Sequence, residues 1–163
     1  MNRIVVTLPA LLLLLGAGCS DSRSSASRTH RGFAGTWQLN REKSDIPAVT
    51  KSQVLLLETD GVLVTMRATV VNDKGEPLTI SFDGKFDGRD YPVAGTPFAD
   101  TVSYRLLNPN TIEGVSKKKG TVIVEETVVL SDDEKSIRVK YVTFDRQRRS
   151  STSQAVFERI DHR

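Results

Sequence analysis

The sequence predicts an all-β protein, a single up-and-down antiparallel β-barrel of about eight to ten strands. Three observations carry that expectation. Side chains alternate with a period of two along most of residues 33–160, as where Val62, Val64, Met66, Ala68 and Val70 interleave with Leu63, Thr65, Arg67 and Thr69. No long stretch repeats apolar residues at i, i+3, i+4 and i+7, the stripe of an amphipathic helix. Turn chemistry recurs at short intervals, at Thr59-Asp60-Gly61, Asn72 to Gly75, Asp87-Gly88, Asn108-Pro109-Asn110, Lys119-Gly120 and Ser131 to Glu134.

Between those turns the strands are expected at 33–40, 52–59, 62–71, 78–86, 90–93, 101–107, 111–117, 121–130, 136–145 and 152–160. The first opens on Gly35-Thr36-Trp37. Asp45 to Thr50, broken by Pro47, is too short to hold a helix of any length. In the fourth, Ile80, Phe82 and Phe86 alternate with Thr79, Ser81, Asp83 and Lys85. Val122 to Leu130 is dense in valine, with Glu126 among apolar neighbours. Ile137, Val139 and Tyr141 alternate with Arg138 and Lys140. Strands joined by short hairpins in chain order form a meander, and closing it removes its exposed edges. No internal repeat is evident.

The chain has 163 residues, 38% hydrophobic and 26% charged. That length suits one domain with its own core. A single cysteine excludes an intramolecular disulfide and a cysteine metal cluster. The net charge of +3 comes from 23 Lys and Arg against 20 Asp and Glu, a mixed surface that gives no argument for nucleic acid.

Residues 1–18 read as a signal peptide: Arg3 precedes an apolar run from Ile4 to Leu15, and Gly16, Ala17 and Gly18 supply small side chains before Cys19. The run falls short of the roughly 20 residues that span hydrocarbon as a helix. Leu15-Gly16-Ala17-Gly18-Cys19 resembles a bacterial lipobox, although Gly16 stands where Leu is commonest. The resemblance implies acylation of Cys19, for instance by palmitate, and a membrane anchor. The other reading is a secreted protein with an incidental cysteine. Ser20 directly after Cys19, where inner-membrane lipoproteins typically carry Asp, points to the outer membrane facing the periplasm. Residues 19–32, rich in Ser and Arg, read as a flexible tether that includes His30. Residues 161–163 form a tail.

Gly35-Thr36-Trp37-Gln38-Leu39-Asn40, Lys43-Ser44 and Tyr91-Pro92-Val93-Ala94-Gly95 resemble a group of bacterial lipocalin-like, calycin-type lipoproteins of unassigned function. The resemblance implies a lipocalin- or fatty-acid-binding-protein-like barrel over 33–160, with Trp37 packed across its closed end. It also marks departures. Fatty-acid-binding proteins hold the ligand carboxylate with Arg-x-Tyr on the last strand, and the aligned positions here are Ala155 and Phe157. The helical lid between their first two strands has no room in 41–51.

Strand parity adds an inference independent of any family. Successive hairpins alternate between the two ends of a meander, so 117–119 and 146–149 share one end. Lys117, Lys118, Lys119, Arg146, Arg148 and Arg149 then gather on one rim. With 90–93 counted as a strand, the tight turns fall at the end where the first strand begins, and the loops 41–51, 72–76 and 94–100 join the basic rim opposite. Such a mouth would attract anionic amphiphiles or acidic partners; the alternative is that the cations serve solubility and edge protection. Without that strand the parity flips, and the basic loops would face the membrane.

Both histidines, His30 and His162, and the cysteine lie outside 33–160, so a Ser-His or Cys-His pair is excluded within the barrel. Asp83, Asp87 and Asp90 lack calcium-loop spacing and read as turn formers. Of Glu125 and Glu126, one faces inward, as a buried group with a partner or as a ligand contact. No enzyme activity, cofactor or metal is expected. The leading expectation is a monomeric, lipid-anchored barrel that binds a small hydrophobic or amphiphilic ligand through Val64, Met66, Phe82, Val124, Glu126, Val139 and Tyr141. The alternative is a filled-core interaction module that contacts envelope proteins or polymers through its basic loops.

Overall fold

Each alternating run pairs with the next in chain order, and the last pairs with the first, so that no strand is left with an open edge. A computed structural model describes residues 32–160. The proposed signal peptide at 1–18, Cys19, the rest of the tether up to residue 31 and the tail at 161–163 lie outside the described residues. Among the described residues there are ten strands and no helix: β1 (Gly35–Leu39), β2 (Thr50–Thr59), β3 (Leu63–Asn72), β4 (Pro77–Lys85), β5 (Tyr91–Ala94), β6 (Thr101–Asn108), β7 (Thr111–Lys118), β8 (Thr121–Leu130), β9 (Ser136–Phe144) and β10 (Ser150–Arg159). All neighbours are antiparallel, including β1 with β10, which closes the barrel. The expected up-and-down antiparallel β-barrel is the architecture observed, and most strand ends shift from their predicted positions by one or two residues.

The order fixes the two ends. At the lower end, where β1 begins, lie the turns at 60–62, 109–110 and 131–135, and the 86–90 connection starts there and climbs along β6, with Asp87 bridging Arg105 and Tyr91 pairing with Val102. The segments at 40–49, 73–76, 95–100, 119–120 and 145–149 lie at the upper end. β5 is the short strand that sets this parity; it pairs with β4 through Ser81–Ala94 and Phe82–Val93, and with β6 through Tyr91–Val102 and Pro92–Thr101.

The 95–100 segment starts at Gly95, whose φ of 79° is open to glycine at little cost. A Cβ there would stand 1.8 Å from the carbonyl oxygen of Thr79. Only a glycine lets the chain turn so close over β4.

The lower half of the interior is filled. Phe33, Trp37, Leu39, Ile112, Leu130, Ile137, Val139, Ala155 and Phe157 form one buried cluster, and Val64, Phe82 and Val102 form a second. Each large side chain fully buried in this way contributes about 1.5–3 kcal/mol. Trp37 has no exposed surface, and its Nε1–H donates to the carbonyl of Phe33 at 3.0 Å. The Arg159 guanidinium lies 4.1 Å from the Trp37 ring and donates to the carbonyls of Gly32 and Ala34, each at 2.7 Å, and Glu134 at 2.8 Å. Arg159 thereby ties the segment entering β1, the β8–β9 turn and the end of β10 together across the lower end.

Candidate functional site

Above the filled half, the barrel encloses a cavity of about 270 Å³, just under the roughly 300–1,000 Å³ usual for small-molecule sites. Its walls are mainly aliphatic and aromatic. Leu55, Leu57, Val64, Met66, Ala68, Ile80, Val124, Val128 and Val139 contribute from the strands, and Thr96, Phe98 and Ala99 reach in from the 95–100 segment. A second, shallower recess at the upper end is lined by Asp45, Ile46 and Pro47 and by Thr143, Ser151 and Ser153. The two share Ser116, Val124, Glu126 and Tyr141 as a common boundary.

Of the interior residues expected from the sequence, Val64, Met66, Val124, Glu126, Val139 and Tyr141 line the cavity. Phe82 is buried beside it, its ring edge-on to Tyr104 at 5.3 Å and to Tyr91 at 6.2 Å between centroids. It belongs to the packed floor. Between the paired glutamates, Glu126 is the one that turns inward.

One polar layer crosses this apolar interior. Tyr104 pairs with Gly114, Gly114 with Glu126, Glu126 with Tyr141 and Tyr141 with Ser153, so five strands present these residues side by side on one face. The Tyr104 hydroxyl hydrogen-bonds to the Glu126 carboxylate. A Cβ added at Gly114 would stand 2.6 Å from both Glu126 Oε1 and Tyr104 Cε1. The missing side chain is the space that the Glu126 carboxyl occupies.

Glu126 keeps some accessible surface because it lines both recesses, yet barrel atoms surround it. Burial pushes its carboxyl above the ordinary range, and the hydrogen bond from Tyr104 offsets only part of that rise. The Tyr104 hydroxyl is held far above its usual value, first by burial and then by the adjacent carboxylate. Tyr141 shifts the same way for the same two reasons. Both tyrosines therefore stay neutral donors.

Lys117, Lys118, Lys119, Arg146, Arg148 and Arg149 do share the upper end, but they are not six bare cations. Lys117 Nζ lies 2.8 Å from Asp90, Lys118 Nζ 2.6 Å from Asp100, and Arg149 Nε 2.7 Å from Asp145. Arg148 stacks over Phe144 at 4.8 Å and donates to the carbonyl of Val122 at 2.9 Å. Lys119 and Arg146 are exposed at turn tips. Asp90 and Asp100 arrive from other connections, and Asp145, expected as the end of a strand, caps the turn by accepting the N–H groups of Gln147 and Arg149. The attraction expected for an anionic amphiphile is correspondingly weakened, because paired surface charges largely cancel at a distance.

Tyr104, Gly114 and Arg159 were not singled out by the sequence. Gly114 and Tyr104 acquire meaning only through pairing across strands, which no single strand's pattern reveals. For Tyr104 the signal was its place in the alternation of β6, with Val102 and Leu106.

No protein-family model and no curated protein matches the sequence. In three dimensions the chain is similar to a redesigned β-barrel, at 14% identity and a TM-score of 0.50 over 85% of this chain and all of that one. A redesigned barrel bound to DFHBI follows at 12% identity and a TM-score of 0.44, over 82% of this chain and all of the other. Lobster apocrustacyanin A1 aligns at 14% identity and a TM-score of 0.41, over 81% of this chain and 63% of the crustacyanin. At these identities the likeness is one of fold.

Proposed function

We propose that this protein is a lipid-anchored barrel of the bacterial cell envelope that holds a small hydrophobic or amphiphilic molecule in its upper interior. The observation that carries the reading is the partly filled barrel: a packed floor below, and above it an apolar cavity of about 270 Å³. An empty apolar cavity costs stability, and an apolar guest recovers about 0.8 kcal/mol for each methylene it buries. The alternative, a filled-core module that works through its basic loops, fits less well, since the upper half is unfilled and three of the six cations already have acidic partners.

The role is non-enzymatic in this reading. Cys19, His30 and His162 all fall outside 33–160 in the sequence, and the hydroxyl that Glu126 meets is that of Tyr104. The lipobox-like string ending at Cys19 supports acylation, and Ser20 supports placement in the outer membrane facing the periplasm.

Native mass spectrometry of the full chain, released from membranes of the producing cell, tests the carrier reading. The expected result is a reproducible extra mass that is lost on denaturation. A bare protein mass that persists after incubation with a lipid extract refutes it. Anchoring is tested separately: Cys19→Ser should lose the mass of the acyl groups and leave the membrane fraction, and an unchanged mass would remove the anchor from the proposal.

A further inference from the structure

We propose that the guest carries a protonated amine, and that Glu126, flanked by Tyr104 and Tyr141, receives that ammonium group while its apolar body fills the cavity beneath. The inference rests on the carrier reading above and names the chemistry of the guest.

The interior is selective because its polar groups carry one sign of charge. Neither recess has a Lys, Arg or His among its lining residues, whereas Glu126 lies at their boundary and Asp45 lines the outer one. A carboxylate taken out of water loses hydration that a single tyrosine hydroxyl replaces only in part. A cation restores that balance, and a charge-assisted N–H···O hydrogen bond is about twice as strong as a neutral one. A carboxylate-headed guest would meet Glu126 as a like charge, with no basic side chain to receive it.

The neighbours of Glu126 suit an ammonium group in particular. Tyr104 and Tyr141 approach from β6 and β9, on either side of the row Gly114–Glu126, and an ammonium within about 6 Å of a tyrosine face gains cation–π attraction. Ser116 and Ser153 lie nearby on the same interior surface and offer hydroxyl oxygens to further N–H donors. Gly114 makes room for the carboxyl beside Tyr104, since a Cβ there would stand 2.6 Å from Glu126 Oε1. The basic turns do not screen the site, because Lys117, Lys118 and Arg149 are held by Asp90, Asp100 and Asp145.

Three probes with one apolar body separate the possibilities: octylamine, octan-1-ol and octanoate, titrated calorimetrically into the full chain at pH 8. The expected order is octylamine tightest, by about tenfold over octan-1-ol, with octanoate weakest. Glu126→Gln, close in shape, should bring octylamine and octan-1-ol to within about threefold of each other, and a cooperative thermal melt reports that the variant is folded. Octanoate binding as tightly as octylamine would overturn the inference and leave the carrier reading standing. So would an amine preference that survives Glu126→Gln. Failure of all three probes to bind would overturn both.

Discussion

Replacing Arg159 with methionine tests whether the lower end is held by one guanidinium or by apolar packing alone. The side chain makes three hydrogen bonds to main-chain carbonyls, those of Gly32, Ala34 and Glu134, and its planar group lies over Trp37. Each bond is partly buried, and a hydrogen bond with a charged donor contributes about 1.5–3 kcal/mol when sheltered and less when water competes. Taking about 1 kcal/mol for each, with about 0.5–1 kcal/mol for the stacking, Arg159→Met should cost about 3–4 kcal/mol. Arg159→Lys should lie between the two, since an ammonium cannot reproduce a planar fork with several donors directed at different carbonyls. Urea denaturation followed by Trp37 fluorescence reads both, and an unchanged m-value would show that only stability has moved. A loss below about 1 kcal/mol for the methionine variant, or a lysine variant as stable as the parent, would refute the assignment of this closure to the guanidinium fork.

Three further outcomes follow. Gly95→Ala places a Cβ on the Thr79 carbonyl at a positive φ, so it should destabilise by at least about 2 kcal/mol and disturb the 95–100 segment, as read by calorimetry and amide chemical shifts. The raised Glu126 carboxyl sets a sign. Below the ordinary carboxyl pKa of 4.5 both folded and unfolded chains hold the proton; as pH rises through it the unfolded chain ionises first, so this residue lowers stability until the folded carboxyl also ionises. Glu126→Gln should therefore match the parent near pH 4 and gain on it toward pH 8 in paired thermal melts, and a variant that loses ground over that interval would contradict the burial of the charge. Phe98, 71% exposed at the edge of the cavity, should matter for the guest and little for the fold: Phe98→Ser is expected to leave Tm within about 2 °C and weaken octan-1-ol about fivefold in the calorimetric titration.

Much of the barrel was legible because strand alternation is written one strand at a time. Val64 and Met66 on β3, Val124 and Glu126 on β8, and Val139 and Tyr141 on β9 could each be placed on a common face of their own strand without knowing the neighbours. Even the ends could be told apart, since hairpin parity depends only on counting strands, with the short run at Tyr91 as the deciding one. What was hidden belongs to register. That Gly114 stands between Tyr104 and Glu126, or that Asp90 reaches Lys117, depends on how far each strand slides against the next, and a single-strand pattern repeats every two residues and so leaves that offset open. Arg159 was obscured for another reason. Near the end of a strand an arginine looks like any solvated charge, and its carbonyl partners come from three separate parts of the chain.

The seam between β1 and β10 has a kinetic consequence. Nine of the ten strand pairings join neighbours in the chain, whereas the seam brings Trp37 to Arg159 across the whole barrel. Closing a loop of about 120 residues costs roughly 2 kcal/mol more chain entropy than closing one of about ten, so this pairing is the natural last step of folding and first step of opening. The connection after β1 reinforces it: Asn40 N–H donates to Val156, Asp45 and Gln154 exchange both backbone hydrogen bonds, and Ser44 Oγ accepts from Val156 N–H. That same connection carries Asp45, Ile46 and Pro47 to the wall of the outer recess. The latch of the barrel and the doorway of its chamber are thus one piece of chain, and a guest resting against that wall would lengthen the lifetime of the folded state by slowing its unlatching.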